Sequence, residues 1–138
     1  MRYVDASAIL RVLFLEPGPT VPLTQDQPLV SSRLIEVETF RAVDRERLLD
    51  HLTDSEVARK RKELTDLMAH LDLVAIDGAV IDRAKSSFAV NVRALDALHV
   101  ATAEVLAAEA EGEPVEFWTH DDRQATAALS RGLDVRGV

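Results

Sequence analysis

Met1-Arg2-Tyr3-Val4-Asp5 opens the chain as a short strand-like run that stops on an acid. Near the other end, Val115-Glu116-Phe117-Trp118-Thr119 repeats the arrangement just ahead of Asp121 and Asp122. If both runs are parallel strands of one sheet, their terminal carboxylates converge at one edge, which in open α/β sheets is where ligands bind. Strand-like segments recur near Leu29–Ser31 and Leu73–Ile76, with a last short one around Asp134–Arg136, and helical patterns separate them. Strands that alternate with helices read as a parallel α/β sheet.

The first helical pattern runs from about Ala6 to Leu15 and ends at the breaker Glu16-Pro17-Gly18, after which Pro19 to Pro28 is the least regular part of the chain. Ser32 is placed to cap a helix that continues through Arg33 to about Leu49. Thr53 and Glu56 make a capping box for another up to about His70, and the two form a helical hairpin. Asp77 caps a short helix through about Ser87. An alanine-rich helix spans Leu95 to about Glu111 and stops at Gly112; a final one covers about Asp122 to Arg131. No internal repeat or linker interrupts this order, so 138 residues are expected to form one domain over 1–138.

With 47% hydrophobic and 29% charged residues, the composition indicates neither disorder nor a fibrous architecture. No apolar stretch approaches the roughly 20 residues needed to cross a bilayer, and Met1-Arg2 leads into a strand rather than a signal peptide. A cytoplasmic location is expected. The absence of cysteine excludes disulfides, thiolate zinc sites and cysteine nucleophiles, so any metal must bind through oxygen or imidazole. A net charge of −8 argues against nonspecific DNA binding but not against a nuclease, whose metal-binding acids are themselves anionic and whose local arginines contact phosphates.

Taken singly, Asp5 and Asp121 have structural explanations: Asp5 as a helix cap, with Ser7 competing for that role, and Asp121 with Asp122 as complements to a helix dipole. Glu38 and Asp96 are more informative. At 3.6 residues per turn, Leu34, Glu38, Arg41 and Ala42 share a face, while Glu36 points roughly 160° away from Glu38. Asp96 lies in a helix whose other faces carry Leu95, Leu98, Val105 and Leu106, where a lone charge is expensive to bury. The structural alternatives are a Glu38–Arg41 pair and an Asp96–His99 hydrogen bond. The functional alternative is that all four acids hold a hard cation such as Mg²⁺ or Mn²⁺, the chemistry that phosphodiester hydrolysis needs.

The ordered set Tyr3-Val4-Asp5-Ala6-Ser7-Ala8, Ser31-Ser32-Arg33-Leu34 leading to Glu38 and Arg41-Ala42, Leu95-Asp96-Ala97-Leu98-His99-Val100-Ala101, and Thr119-His120-Asp121-Asp122-Arg123 resembles the PIN-domain proteins, specifically the VapC toxins. The resemblance spans essentially the whole chain. It implies a three-layer α/β/α sandwich around a parallel sheet of four or five strands. It also implies an endoribonuclease dependent on Mg²⁺ or Mn²⁺ that cuts cellular RNA and inhibits translation.

The family's acidic positions fall on Asp5, Glu38, Asp96 and Asp121, as catalytic and metal-binding residues, with Ser7, Thr119 and Asp122 in supporting places around them. The implied partners are an RNA substrate and a VapB-type antitoxin, within a homodimer or a toxin–antitoxin heterocomplex. His120 and Thr39 depart from the family's usual aromatic and aliphatic residues without removing a candidate ligand.

Among the arginines beside these motifs, which include Arg33 and Arg93, Arg41 and Arg123 are the chosen RNA phosphate contacts. The run Arg59-Lys60-Arg61-Lys62 reads rather as a solvated helix face, and Trp118 as core. The competing function is a non-catalytic PIN-like module that binds a regulatory partner. Aspartyl phosphatases and phosphoacceptor receivers fit less well, the first because Ser7 stands where a second aspartate is needed.

Overall fold

A computed structural model describes residues 1–24 and 26–138. Five strands form one sheet in the order β3-β2-β1-β4-β5, from β1 (Arg2–Val4), β2 (Leu29–Ser32), β3 (Asp72–Val74), β4 (Glu116–Trp118) and β5 (Asp134–Arg136). Every neighbouring pair is parallel. The helices α1 (Ala6–Phe14), α2 (Leu34–Leu48), α3 (Asp54–Met68), α4 (Gly78–Ala84), α5 (Ala94–Glu109) and α6 (Asp122–Ser130) supply the outer layers. The α/β/α sandwich expected from the sequence is the architecture found.

Alternation along the strands builds a core on each face. Val4 and Trp118 point into a cluster with Ile9, Leu13, Ile35, Val43 and Leu64 from α1, α2 and α3. Tyr3 and Phe117 point the other way, onto Val100, Ala103, Ala127 and Ala128 of α5 and α6. Tyr3 is paired in register with Phe117, and their rings stack with centroids 5.4 Å apart. The small alanines let α5 and α6 lie close over these two large rings.

Local chemistry explains most boundaries. Thr53 and Glu56 complete a reciprocal capping box at the start of α3, and Asp77 accepts from the Val80 amide at the start of α4. Several boundaries differ from the sequence reading; α4, for one, ends at Ala84 rather than about Ser87. Ser32 does not cap α2: it remains in β2, fully buried, and the α2 start has no side-chain cap. Strand β3 ends at Val74 rather than Ile76, since the Val74 carbonyl already accepts from Arg33 where the chain leaves β2.

The strand order places the functional edge. From β1 the chain crosses to β2 on one side and later returns to β4 on the other, so β1 and β4 flank a topological switch point. Asp5 follows the last residue of β1, and Thr119 to Asp121 follow β4 at the same edge.

Candidate metal centre

Both strand-end aspartates cap helices, and that role fixes their orientation. Asp5 has an extended backbone and its Oδ1 accepts from the Ala8 amide at 2.9 Å, so it, not Ser7, caps α1. Asp121 caps α6 through Oδ1, which accepts from the amides of Arg123 and Gln124 at 2.9 Å each, so that Oδ2 takes no part in the cap.

Hydroxyl groups complete the cradle of Asp5. Ser7 Oγ donates at 2.8 Å to its Oδ1, and Thr119 Oγ1 donates at 2.9 Å to its Oδ2 across the β1/β4 seam. Ser7 Oγ also accepts from the His120 amide at 2.8 Å, which ties the two strand ends together. Asp5 is 5% exposed and has no ion pair with any described residue. Burial pushes its carboxyl above the usual aspartate range, against the opposing effects of His99 and the surrounding donors.

Glu38 and Asp96 arrive from opposite walls. Glu38, on α2, accepts from His99 Nε2 at 2.6 Å, and His99 on α5 is 1% exposed. Its other nitrogen, Nδ1, lies 2.8 Å from the Tyr3 hydroxyl, which itself accepts from the Ser32 amide. With Tyr3 donating to Nδ1, the imidazole must carry its proton on Nε2, facing Glu38. Burial raises the Tyr3 phenol far above its ordinary value, so it stays neutral and able to donate.

Two pairings considered from the sequence are thereby replaced. His99 does not satisfy Asp96, and Arg41 does not pair with Glu38. Asp96, 9% exposed, instead accepts from Arg93 Nε at 3.0 Å within the first turn of α5. The same guanidinium reaches Asp121 Oδ2 with its Nη2 at 3.4 Å. The hydrogen bond that Arg93 donates to Asp96, then the charges of Asp96 and Asp121, raise the Arg93 pKa further.

Asp5, Glu38, Asp96 and Asp121 line one cleft of about 560 Å³, with Ser7, Arg41, Arg45 and Arg93 also in its walls. Thr119 lies beneath it, fully buried against Asp5. Asp122 is exposed and borders an adjoining depression with Arg93, His120 and Arg123. A separate, more apolar cavity of about 530 Å³ among Ile9, Leu23, Leu67 and Leu71 gathers none of the four acids.

As the side chains stand, no group of three or more acids and histidines among the described residues is arranged to hold an ion. Their oxygens are engaged by protein groups instead, Glu38 by His99 and the Asp96–Asp121 pair by Arg93.

A family model described as PIN domain matches residues 2–129. The chain belongs to the PIN-domain family. Within that family it is similar to Ribonuclease VapC46 of Mycobacterium tuberculosis, with 35% identity over 136 residues that cover 96% of this chain and 94% of the relative. The PIN match begins within β1 and ends in α6, so it contains all four cleft acids.

Sequence reasoning undervalued three side chains of this PIN domain. Arg45 stands one helical turn beyond Arg41 and lines the same wall, a relation visible in the i, i+4 spacing. Arg93 stands at i−3 from Asp96, an equally readable signal. Tyr3 is joined to His99 across 96 positions of sequence, and no local pattern announces that link.

The basic run on α3 is largely committed. Lys60 donates to the Leu13 carbonyl and Glu63, Lys62 pairs with Asp66, and Arg61 lies over the Phe40 ring. Trp118 is half-buried against the core and donates to Glu116. No described helix is long and apolar enough to cross a membrane.

Proposed function

We propose that the chain is a metal-dependent endoribonuclease in which Asp5, Glu38, Asp96 and Asp121 hold a divalent cation, Mg²⁺ or Mn²⁺, at the carboxyl edge of the sheet. The observation that carries this reading is the convergence of four acids, from β1, α2, α5 and the β4–α6 junction, on one cleft. The relative's name, Ribonuclease VapC46, supports RNA as the substrate. The donor set suits a hard cation, being carboxylate without thiolate. Asp5, buried without an ion pair among the described residues, supplies charge that such a cation offsets.

When bound, the cation lowers the pKa of a coordinated water and neutralises charge on the phosphate under attack. The protein's part is to fix the acids and seat the strand. Ser7 and Thr119 hold the Asp5 carboxylate, and His99, steadied by Tyr3, holds Glu38. Arg41 and Arg45 on the α2 wall, with Arg123 on the opposite rim, contact phosphates on either side of the scissile bond. With a net charge of −8, the protein repels RNA at long range, so these local cations carry a large share of affinity.

Arg41→Ala is expected to weaken RNA binding and to reduce the magnitude of the log affinity against log salt slope by about 0.7, the contribution of one phosphate contact on a single strand. Fluorescence anisotropy at several salt concentrations measures both. An unchanged slope would remove Arg41 from the RNA path.

In this reading the chain acts as one domain in the cytoplasm. It is the toxin of a toxin–antitoxin pair whose RNA cleavage inhibits translation, and a VapB-type antitoxin neutralises it within a heterocomplex or alongside a homodimer. The exposed Val37, Leu48 and Leu95 border the acidic cleft and offer an apolar rim to a basic partner segment. The deciding experiment incubates purified protein with RNA. Cleavage is expected with Mg²⁺ or Mn²⁺, to stop in chelator and to return when metal is restored. Cleavage that persists undiminished in chelator contradicts the metal role.

A further inference from the structure

Arg93 occupies an unusual place for an exposed side chain. It is the N-cap residue of α5, with extended backbone and no side-chain capping bond, so its side chain is free to fold back over the first turn. There its guanidinium spans two carboxylates from different elements, Asp96 of α5 and Asp121 at the start of α6, at 3.0 and 3.4 Å. The same two carboxylates are half of the proposed metal-binding set. The arginine side chain itself is 73% exposed, so nothing in the core pins it in this position.

From this geometry we infer that Arg93 is a tethered counter-cation: it holds Asp96 and Asp121 while no metal is bound, and must give them up to a divalent ion. This rests on the proposed metal role of the two aspartates. A positive group in contact with the ligands opposes a second cation by occupying their oxygens and by direct repulsion. Because the guanidinium itself is solvated, it can leave Asp96 without being desolvated or unpacked, so exchange is open to a metal. Arg93 therefore tunes affinity rather than blocking the site. Once released, it stands at the junction of the acidic cleft and the depression that carries Arg123, where a nucleic-acid phosphate can take the place of the carboxylates. Metal and nucleic acid then favour one another's binding, each drawing Arg93 away from the state that the other disfavours.

The test is calorimetric titration of Mn²⁺ into the full chain, for wild type, Arg93→Ala and Arg93→Gln, with Arg59→Ala on the exposed face of α3 as a control that removes the same charge elsewhere. Both Arg93 variants are expected to bind Mn²⁺ about 3- to 10-fold more tightly than wild type, while Arg59→Ala stays within about 2-fold. A DNA oligonucleotide supplies the second readout: Arg93→Ala weakens its binding in Mn²⁺ and leaves it unchanged in chelator. Equal or weaker Mn²⁺ binding by the Arg93 variants overturns the inference while leaving the metal site intact. Loss of oligonucleotide affinity equally with and without Mn²⁺ also overturns it. Absence of Mn²⁺ binding by wild type and both Arg93 variants overturns the proposed metal function itself.

Discussion

Asp5→Asn is expected to lower RNA cleavage by more than roughly 100-fold and yet to leave the protein as stable as wild type, or more stable, when measured in chelator at neutral pH. The activity loss follows from removing a candidate ligand's negative charge, since even supporting residues around metals typically cost 10- to 100-fold. The stability follows from burial. Asparagine is as good an N-cap as aspartate, so the Ala8 amide keeps its acceptor.

Burial also pushes the Asp5 carboxyl above the usual aspartate range, so folding favours its protonated form. The stability contributed by that preference is present below the ordinary aspartate pKa and is lost as pH rises through the raised folded value. An amide does not suffer that loss. The variant's advantage is therefore largest at neutral pH and fades towards acid. Denaturant unfolding at two pH values, beside a cleavage assay, checks both halves. A strongly destabilised Asp5→Asn protein would mean that the carboxylate is needed for the fold rather than held at a cost to it.

His99→Phe is expected to fail in both respects. The imidazole is the shared partner of Tyr3 and Glu38, and both its ring and the Tyr3 side chain are fully buried. A phenyl ring deprives the Tyr3 hydroxyl of its acceptor, and leaving a buried donor unsatisfied costs about 1–3 kcal/mol. Glu38 loses the donor that holds it, with a fall in activity of roughly 10- to 100-fold on the scale of lost supporting contacts at metal sites. His99 is thus a positioning residue. His99→Gln separates orientation from packing, because its terminal amide can stand where Nε2 stood and donate to Glu38. It should recover part of the cleavage rate and of the Mn²⁺ affinity without restoring the bond to Tyr3. If Gln and Phe variants, both folded, are equally impaired in metal binding, His99 does not act through Glu38.

Much of this arrangement is legible in sequence because short-range rules govern it. The Thr53–Glu56 capping box, the Asp77 cap and the breaker after α1 each depend on residues within a few positions, and the alternation of Tyr3 with Val4 already separates the two cores. The convergence of Asp5 with Asp121 required only parallel strands and a chain reversal between them.

What escapes the sequence is settled by packing. A serine before a helix looks like a cap whether or not it is one, and only the pairing of β2 with β1 and β3 keeps Ser32 in the sheet. His99 at i+3 from Asp96 suggests a local pair, but the ring turns inward to Tyr3 and Glu38, contributed by distant segments. That inward turn leaves Asp96 to Arg93. A charge on an apolar helix face thus marks an unusual site, while its partner must be found in three dimensions.

In the proposed function, it is the four-acid cleft that cuts RNA. Sequencing RNA ends after induction of wild type and of Asp96→Asn at equal protein levels tests it most directly. New internal ends at reproducible positions should appear with wild type and be absent with Asp96→Asn. The same ends at the same frequency with both proteins, or a growth defect from wild type with no new ends, would contradict it.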